Sequence, residues 1–267
     1  MAKFGLIAGN GVFPLEVAAA ARQRGFEVIA VAHRGETQPA LSDLVDRITW
    51  VRPGELQRLI DALKEAGVFE AAMAGGLTRV RLPASLAPDA RALALMARLP
   101  RLADDAVLRA VAEELESEGI RIIDPVPMLD GALAGHGLQA GPQPSASQLR
   151  DLDLAFEIIR ALGGFDVGQA VAVRDGTVAA IEAIEGTDAA LRRAAALAGP
   201  GLVVAKAAKA GQDLRFDRPA VGPATVELLA ELGAAMLGVE ADRTLVLERS
   251  RTLALATERG ITLFGHG

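Results

Sequence analysis

The feature that most limits this chain is an alternation that runs through its first 125 residues. "KFGLIAG" reads as a short apolar strand entering Gly9-Asn10-Gly11, and "PLEVAAAARQRG" as an alanine-rich helix stopped by Gly25. "FEVIAVAH" and "LVDRITWV" are further strands; "GELQRLIDALKEAG" is a helix closed by Gly67, and "FEAAMAGG" returns as a strand. "DDAVLRAVAEELESEG" is a long amphipathic helix ending at Gly119, before the strand "IRIIDP". Short apolar strands alternating with helices must be covered on both faces, which a parallel sheet between helix layers provides. The expectation is an α/β fold in two domains. The first covers 1–130. The Gly-, Pro- and Ser-rich "LAGHGLQAGPQPSASQ" makes 131–150 a linker or loop, and 151–267 form a second, α+β domain. That second half carries a hairpin signal, Arg174-Asp175-Gly176 between two apolar runs.

Composition closes off several classes. With 267 residues and 51% hydrophobic content a large core is available. Aromatics are only 3%, with one Trp and no Tyr, and the net charge is −6 without a basic block, which argues against nucleic-acid binding. The absence of cysteine excludes disulfides, thiolate metal sites and a cysteine nucleophile. No apolar run reaches the roughly 18 residues of a membrane span, and the first residues lack a secretory signal pattern, so a cytoplasmic protein is expected.

Gly9-Asn10-Gly11-Val12-Phe13-Pro14 lies where a strand meets a helix, where glycines let a backbone approach phosphate. Pro14 replaces the third glycine of the dinucleotide fingerprint. After the second strand "VAHRGE" offers His33, Arg34 and Glu36 in place of the usual acidic position. A nucleotide or sugar-phosphate contact is therefore expected rather than NAD, with a tight glycine turn as the plain alternative. Asp104 and Asp105 suit a helix N-terminus. His33, His136 and His266 have no evident partner serine.

Three segments of the second half stand apart: "FDVGQAVAV", "EAIEGTD" and "KAAKAGQDLRFDRPAVGPAT". They supply Asp166, Gln169, Glu182, Glu185, Asp188, Lys206, Lys209, Gln212, Asp213 and Asp217. Only four lysines occur in the chain, and two of them are Lys206 and Lys209. Read with a period of two, Asp213, Arg215 and Asp217 point one way and Leu214 and Phe216 the other. Carboxylates gathered with lysines and amides suit Mg²⁺ and phosphate oxygens, since Mg²⁺ takes one or two carboxylates and leaves the rest to water and phosphate. A solvated row of strand ends with paired charges is the alternative.

These three segments, with "GLIAGNGVFP" and "DDAVLRAVAEELESEG", resemble the LpxI family of UDP-2,3-diacylglucosamine pyrophosphatases of lipid A biosynthesis, in the same order along nearly the whole chain. One departure is Ala210, where the family pattern usually has proline. The resemblance implies an N-terminal Rossmann-like domain, a C-terminal catalytic domain particular to the family, and substrate between them. It implies Mg²⁺-dependent hydrolysis of UDP-2,3-diacylglucosamine to UMP and lipid X. Asp213, Asp217, Lys209, Lys206, Arg215 and Gln212 would be catalytic. Gly9, Asn10, Gly11, Gln169, Glu185, Gly186, Thr187 and Asp188 would bind substrate, and Asp213, Asp217 and Glu182 would hold metal. A diacyl substrate also calls for an apolar surface, for which Leu82 to Pro100 is the candidate, and leaves room for peripheral contact with the inner membrane and for a homodimer. The rival expectation is a non-catalytic nucleotide-sugar or lipid sensor.

Overall fold

The computed structural model describes residues 1–77, 88–99, 104–165, 167–209 and 211–267. It divides into two compact units, one of residues 1–130 with 213–217, the other of residues 131–212 with 218–267.

The first unit runs β1 (Lys3–Ala8), α1 (Phe13–Gln23), β2 (Glu27–His33), β3 (Arg47–Val51), α2 (Leu56–Glu65), β4 (Glu70–Ala74), α3 (Ala90–Arg98), α4 (Asp104–Ser117) and β5 (Arg121–Ile122). The strands form one parallel sheet in the order β3-β2-β1-β4-β5. Strand periodicity explains both faces. Phe4, Leu6 and Ala8 of β1 join Val17, Ala18 and Ala21 of α1 in one core. Ile7 turns the other way, into a core with Leu59, Ile60 and Leu63 of α2 and Leu115 of α4. Arg91 of α3 bridges to Glu114 of α4 at 2.8 Å and to Glu118, just past the end of α4, at 2.7 Å. Within the segment proposed to meet acyl chains, residues 82–87 and 100 lie outside the described residues. Of the rest, Leu95 is buried and Leu93 exposed.

The second unit runs β6 (Gly137–Ala140), α5 (Ala146–Leu162), β7 (Ala170–Arg174), β8 (Thr177–Ile181), α6 (Thr187–Ala198), β9 (Val203–Lys206), β10 (Ala220–Val221), α7 (Pro223–Glu231), β11 (Met236–Glu240), β12 (Leu245–Val246), α8 (Arg249–Glu258) and β13 (Thr262–His266). Its main sheet has the order β6-β13-β11-β9-β7-β8, with β13, β11 and β9 parallel and β6, β7 and β8 antiparallel to their neighbours. Phe156 and Ile159 of α5 cover one face; Leu191 of α6, Leu229 of α7 and Ala256 of α8 cover the other. The hairpin β7–β8 turns at Asp175 and Gly176, both at positive φ, as the Asp-Gly pair demands.

The stretch 131–150, expected as a linker or loop, belongs to this second unit. It carries β6, paired with β13, and the start of α5, where Ser145 and Gln148 form a capping box. Its glycine and proline content serves an ordered turn: the Thr262 hydroxyl donates to the Pro142 carbonyl at 2.8 Å.

Candidate functional site

In an open parallel sheet, ligands meet the carboxyl ends of the strands where the strand order reverses. In the first unit that point lies between β1 and β4. Two loops cross there. Gly9 N donates to Ala74 O at 2.8 Å and Asn10 N to Gly76 O at 2.7 Å, while Gly76 N donates to Asn10 Oδ1 at 3.2 Å. A Cβ on Gly9 would run into the Gly76 carbonyl, so that glycine serves the crossing. Asn10 spends its side chain on the same crossing and on Glu36 Oε2, at 3.3 Å. Gly11, at φ +80° beside open space, precedes α1, whose N-cap Val12 offers no side-chain cap. Of the three residues of this loop expected to meet substrate, Gly11 is thus the one beside open space, at the uncapped helix start.

The neighbouring loop was read from the sequence only as His33, Arg34 and Glu36 standing in place of the usual acidic position. His33 ends β2 and is 7% exposed. Its Nδ1 lies 2.9 Å from the Ala8 carbonyl, which also accepts from the Thr37 hydroxyl at 2.6 Å. Burial pushes the His33 pKa below its ordinary value, keeping the ring neutral. Beyond it, Arg34 to Pro39 and Trp50 line an open depression of about 570 Å³.

Residues 213–217 also belong to the first unit. The expected strand edge is a turn instead. The Asp213 carbonyl accepts from Phe216 N at 3.3 Å and Asp217 N at 3.1 Å, and its carboxylate accepts from Arg215 N at 3.1 Å. Aspartate competes for its own backbone in this way, which period-two counting overlooks. Arg215 then grips Asp213, Nε lying 3.1 and 3.2 Å from the two oxygens and Nη2 2.8 Å from Oδ2. Arg215 Nη1 reaches Glu116 Oε1 at 3.1 Å and the Ile122 carbonyl at 3.3 Å, and Arg109 stands 3.8 Å from Asp213. Phe216 packs against the α2–α4 core. The Arg215 guanidinium holds the Asp213 carboxyl below the usual carboxylate range, against the opposing pull of burial.

The second unit assembles the remaining candidates at one sheet edge. Ala170 at the start of β7 and Val239 near the end of β11 both pair with Lys206, the last residue of β9. The chain beyond Lys206 is tied amide by amide. Ala207 N donates to the Gln169 carbonyl at 3.0 Å, Ala208 N to Glu240 Oε2 at 3.2 Å, and Lys209 N to Gln212 Oε1 at 2.7 Å. Glu182 Oε2 accepts from Gln169 N at 3.1 Å, and Lys206 Nζ donates to the Ala220 carbonyl at 2.9 Å. Among the described residues, Gln169 Oε1 and Gln212 Nε2 are enclosed and find no hydrogen-bond partner. Glu240, which sequence reasoning missed, therefore braces the lysine-bearing loop. Gly186, Thr187 and Asp188 form the start of α6, with Asp188 in the first turn, where the helix dipole favours an acid. Glu185 pairs with Arg193 at 2.6 Å, which draws its pKa down. Asp166 and Ala210 lie outside the described residues, as do the side chains of Asp104 and Asp105.

The expected metal ligands are engaged within their own units. Both oxygens of Asp213 face Arg215, Glu182 accepts a backbone amide in the other unit, and the described residues contain no group of three or more His, Cys, Asp or Glu placed to hold a metal ion.

Fold and edge chemistry together define a two-unit α/β protein whose first unit has the doubly wound, Rossmann-like order. The LpxI N-terminal domain family matches residues 3–132 and the LpxI C-terminal domain family residues 135–264. The chain belongs to the LpxI family. It is 34% identical, over 99% of its own length and 98% of the other's, to "UDP-2,3-diacylglucosamine pyrophosphatase LpxI" of Caulobacter vibrioides. Among solved structures, the biotin carboxylase domain of Hydrogenobacter thermophilus 2-oxoglutarate carboxylase matches at 14% identity and a TM-score of 0.31, over 76% of this chain and 44% of that one. The biotin carboxylase subunit of pyruvate carboxylase matches at 17% and 0.29, over 76% and 44%. Likenesses of this size carry no argument. No helix among the described residues is long and apolar enough to cross a membrane.

Proposed function

We propose that the protein is an enzyme of lipid A biosynthesis that hydrolyses the pyrophosphate of UDP-2,3-diacylglucosamine. Water adds to one phosphorus, the bridging P–O bond breaks, and UMP and 2,3-diacylglucosamine 1-phosphate (lipid X) leave. The observation that carries this reading is the end-to-end similarity to the Caulobacter pyrophosphatase, spanning both units. The chemistry of the edges agrees with it. Lys206 and Lys209, on a loop fixed amide by amide, supply positive charge suited to a diphosphate. Asp213, with its pKa depressed, is a weak proton acceptor; its part is to hold Arg215, and Asp217 is the carboxylate we assign to orienting the water. Magnesium is the proposed ion because a diphosphate offers the hard oxygens it prefers. No step is assigned to it. Cytoplasmic location, contact with the membrane surface through the acyl chains, and a homodimeric state complete the proposal.

The test is incubation of purified protein with UDP-2,3-diacylglucosamine, with Mg²⁺ and with EDTA. We expect UMP and lipid X in equal amounts, abolished by EDTA. Tight binding with no release would replace the hydrolase by a nucleotide-sugar sensor; release undiminished by EDTA would remove magnesium.

A further inference from the structure

The loop after β2 holds groups that the proposed hydrolysis leaves without a task. His33 Nδ1 faces the Ala8 carbonyl, so Nδ1 carries the proton, and Nε2 of the neutral ring is left as an acceptor. Nε2 makes no hydrogen bond to the described residues, and the residue keeps 7% of its surface exposed. The backbone beneath the ring is tied as well, because Thr37 Oγ1 accepts from the His33 amide at 2.9 Å and itself donates to Ala8 O. Glu36 stands three residues on, bonded to Asn10, in the loop from which doubly wound folds present a carboxylate to ribose. The depression lined by Arg34 to Pro39 and Trp50 opens in that same loop.

We propose that His33 reads the nucleoside of the substrate, its Nε2 accepting a hydrogen bond from a ribose hydroxyl or from the uracil imide N–H at the carboxyl edge of the first sheet. This rests on the pyrophosphatase reading, which supplies the uridine. A neutral acceptor, nearly buried and with its other nitrogen already committed, distinguishes a donor from a methyl group at that position. A surface histidine that tumbles and titrates would not.

Titration of UMP into the full-length protein and its His33→Phe variant tests this. His33→Phe should bind UMP about tenfold more weakly or worse, with affinity for lipid X unchanged. His33→Gln, whose amide oxygen can stand near the place of Nε2, should recover part of the loss. With wild type, weakened binding of 2′-deoxy-UMP would assign the ribose hydroxyl as donor, and weakened binding of 3-methyl-UMP the imide. Equal UMP affinity in His33→Phe, or an equal loss for UMP and lipid X, would overturn the proposal. Should that variant not fold, the ¹⁵N resonance of His33 Nε2 in wild type decides: it should shift on adding UMP, and a resonance that stays put overturns the idea. Turnover by wild type with an unmoved resonance removes this inference alone. A UMP-dependent shift without turnover removes the hydrolase and leaves the nucleoside contact.

Discussion

Asp213 is the residue where charge, turn and proposed chemistry meet. Its carboxylate closes the turn on Arg215 N and grips the Arg215 guanidinium, which in turn holds Glu116 and the Ile122 carbonyl. Asp213→Asn keeps an oxygen for the turn and loses the charge. Because Arg215 is more than a third exposed, solvent screens the pair, and the stability cost should be only about 1 kcal/mol. The catalytic cost should be far larger, a fall in kcat of about a hundredfold or more, since Arg215 would no longer be held in place. Parallel urea unfolding and steady-state kinetics check this; a rate loss no greater than the stability loss explains would take Asp213 and Arg215 out of the site.

Among the elements, the glycines of the β1–β4 crossing separate two kinds of need. Gly9 lies where a side chain would strike the Gly76 carbonyl, whereas Gly11 has open space and a positive φ. Gly9→Ala should cost about 1–3 kcal/mol through overpacking, and Gly11→Ala about 1–2 kcal/mol through backbone strain alone. Only the first should loosen the neighbouring loop, seen as faster amide hydrogen exchange at Gly76. Much at this scale was legible in the sequence. The helices α1, α2 and α4 end where Gly25, Gly67 and Gly119 follow, because a left-handed residue after the last turn is a local demand that glycine meets. The Asp-Gly hairpin was legible for the same reason. Residues 213–217 were misread because an aspartate side chain overrode the alternation. The stretch 131–150 was legible only as a linker or loop, because glycine and proline mark turns equally well inside a domain. That the segments around Gln169, Glu182 and Lys209 belong together was legible from composition and spacing, and hydrogen bonds join them. The settings of His33 and Glu240 were not legible, since burial and the carbonyl or amide each one faces come from distant parts of the chain.

For the molecule as a whole, the titrating groups set how stability follows pH. Asp213, Glu114, Glu118, Glu185 and Glu231 are each held low, chiefly by hydrogen bonds from Arg215, Arg98, Lys64, Arg193 and Arg192 respectively. Their contribution is present above the unfolded carboxyl range and lost as pH falls through their lowered folded values, below about pH 4. His33, also lowered, contributes above about pH 6.5 and loses that contribution as pH falls. His136 has the opposite sign. Asp242 and the Gly267 carbonyl raise its pKa, so its contribution is present below about pH 6.5 and lost as pH rises through the raised value. The difference in urea midpoint between wild type and His33→Phe isolates one of these: it should shrink as pH falls from 7.5 to 5.5 on the order of one unit below the unfolded histidine value, while both proteins lose stability together in the carboxyl range. A difference independent of pH would mean that the His33 ring is not held neutral by its burial.

The first unit includes five residues, Asp213–Asp217, that follow 82 residues (131–212) of the second. A ribosome therefore finishes β5 well before it makes Arg215 and Phe216, the side chains that engage the Ile122 carbonyl and the α2–α4 core. At about 5–20 residues per second that interval is roughly 4–16 s. For that time the nascent N-terminal unit is incomplete, with the place of Phe216 open to other apolar chains. Synthesis of this protein thus has a vulnerable period written into its chain order, one that ends only when the second unit is about three-fifths made or when a chaperone covers the gap.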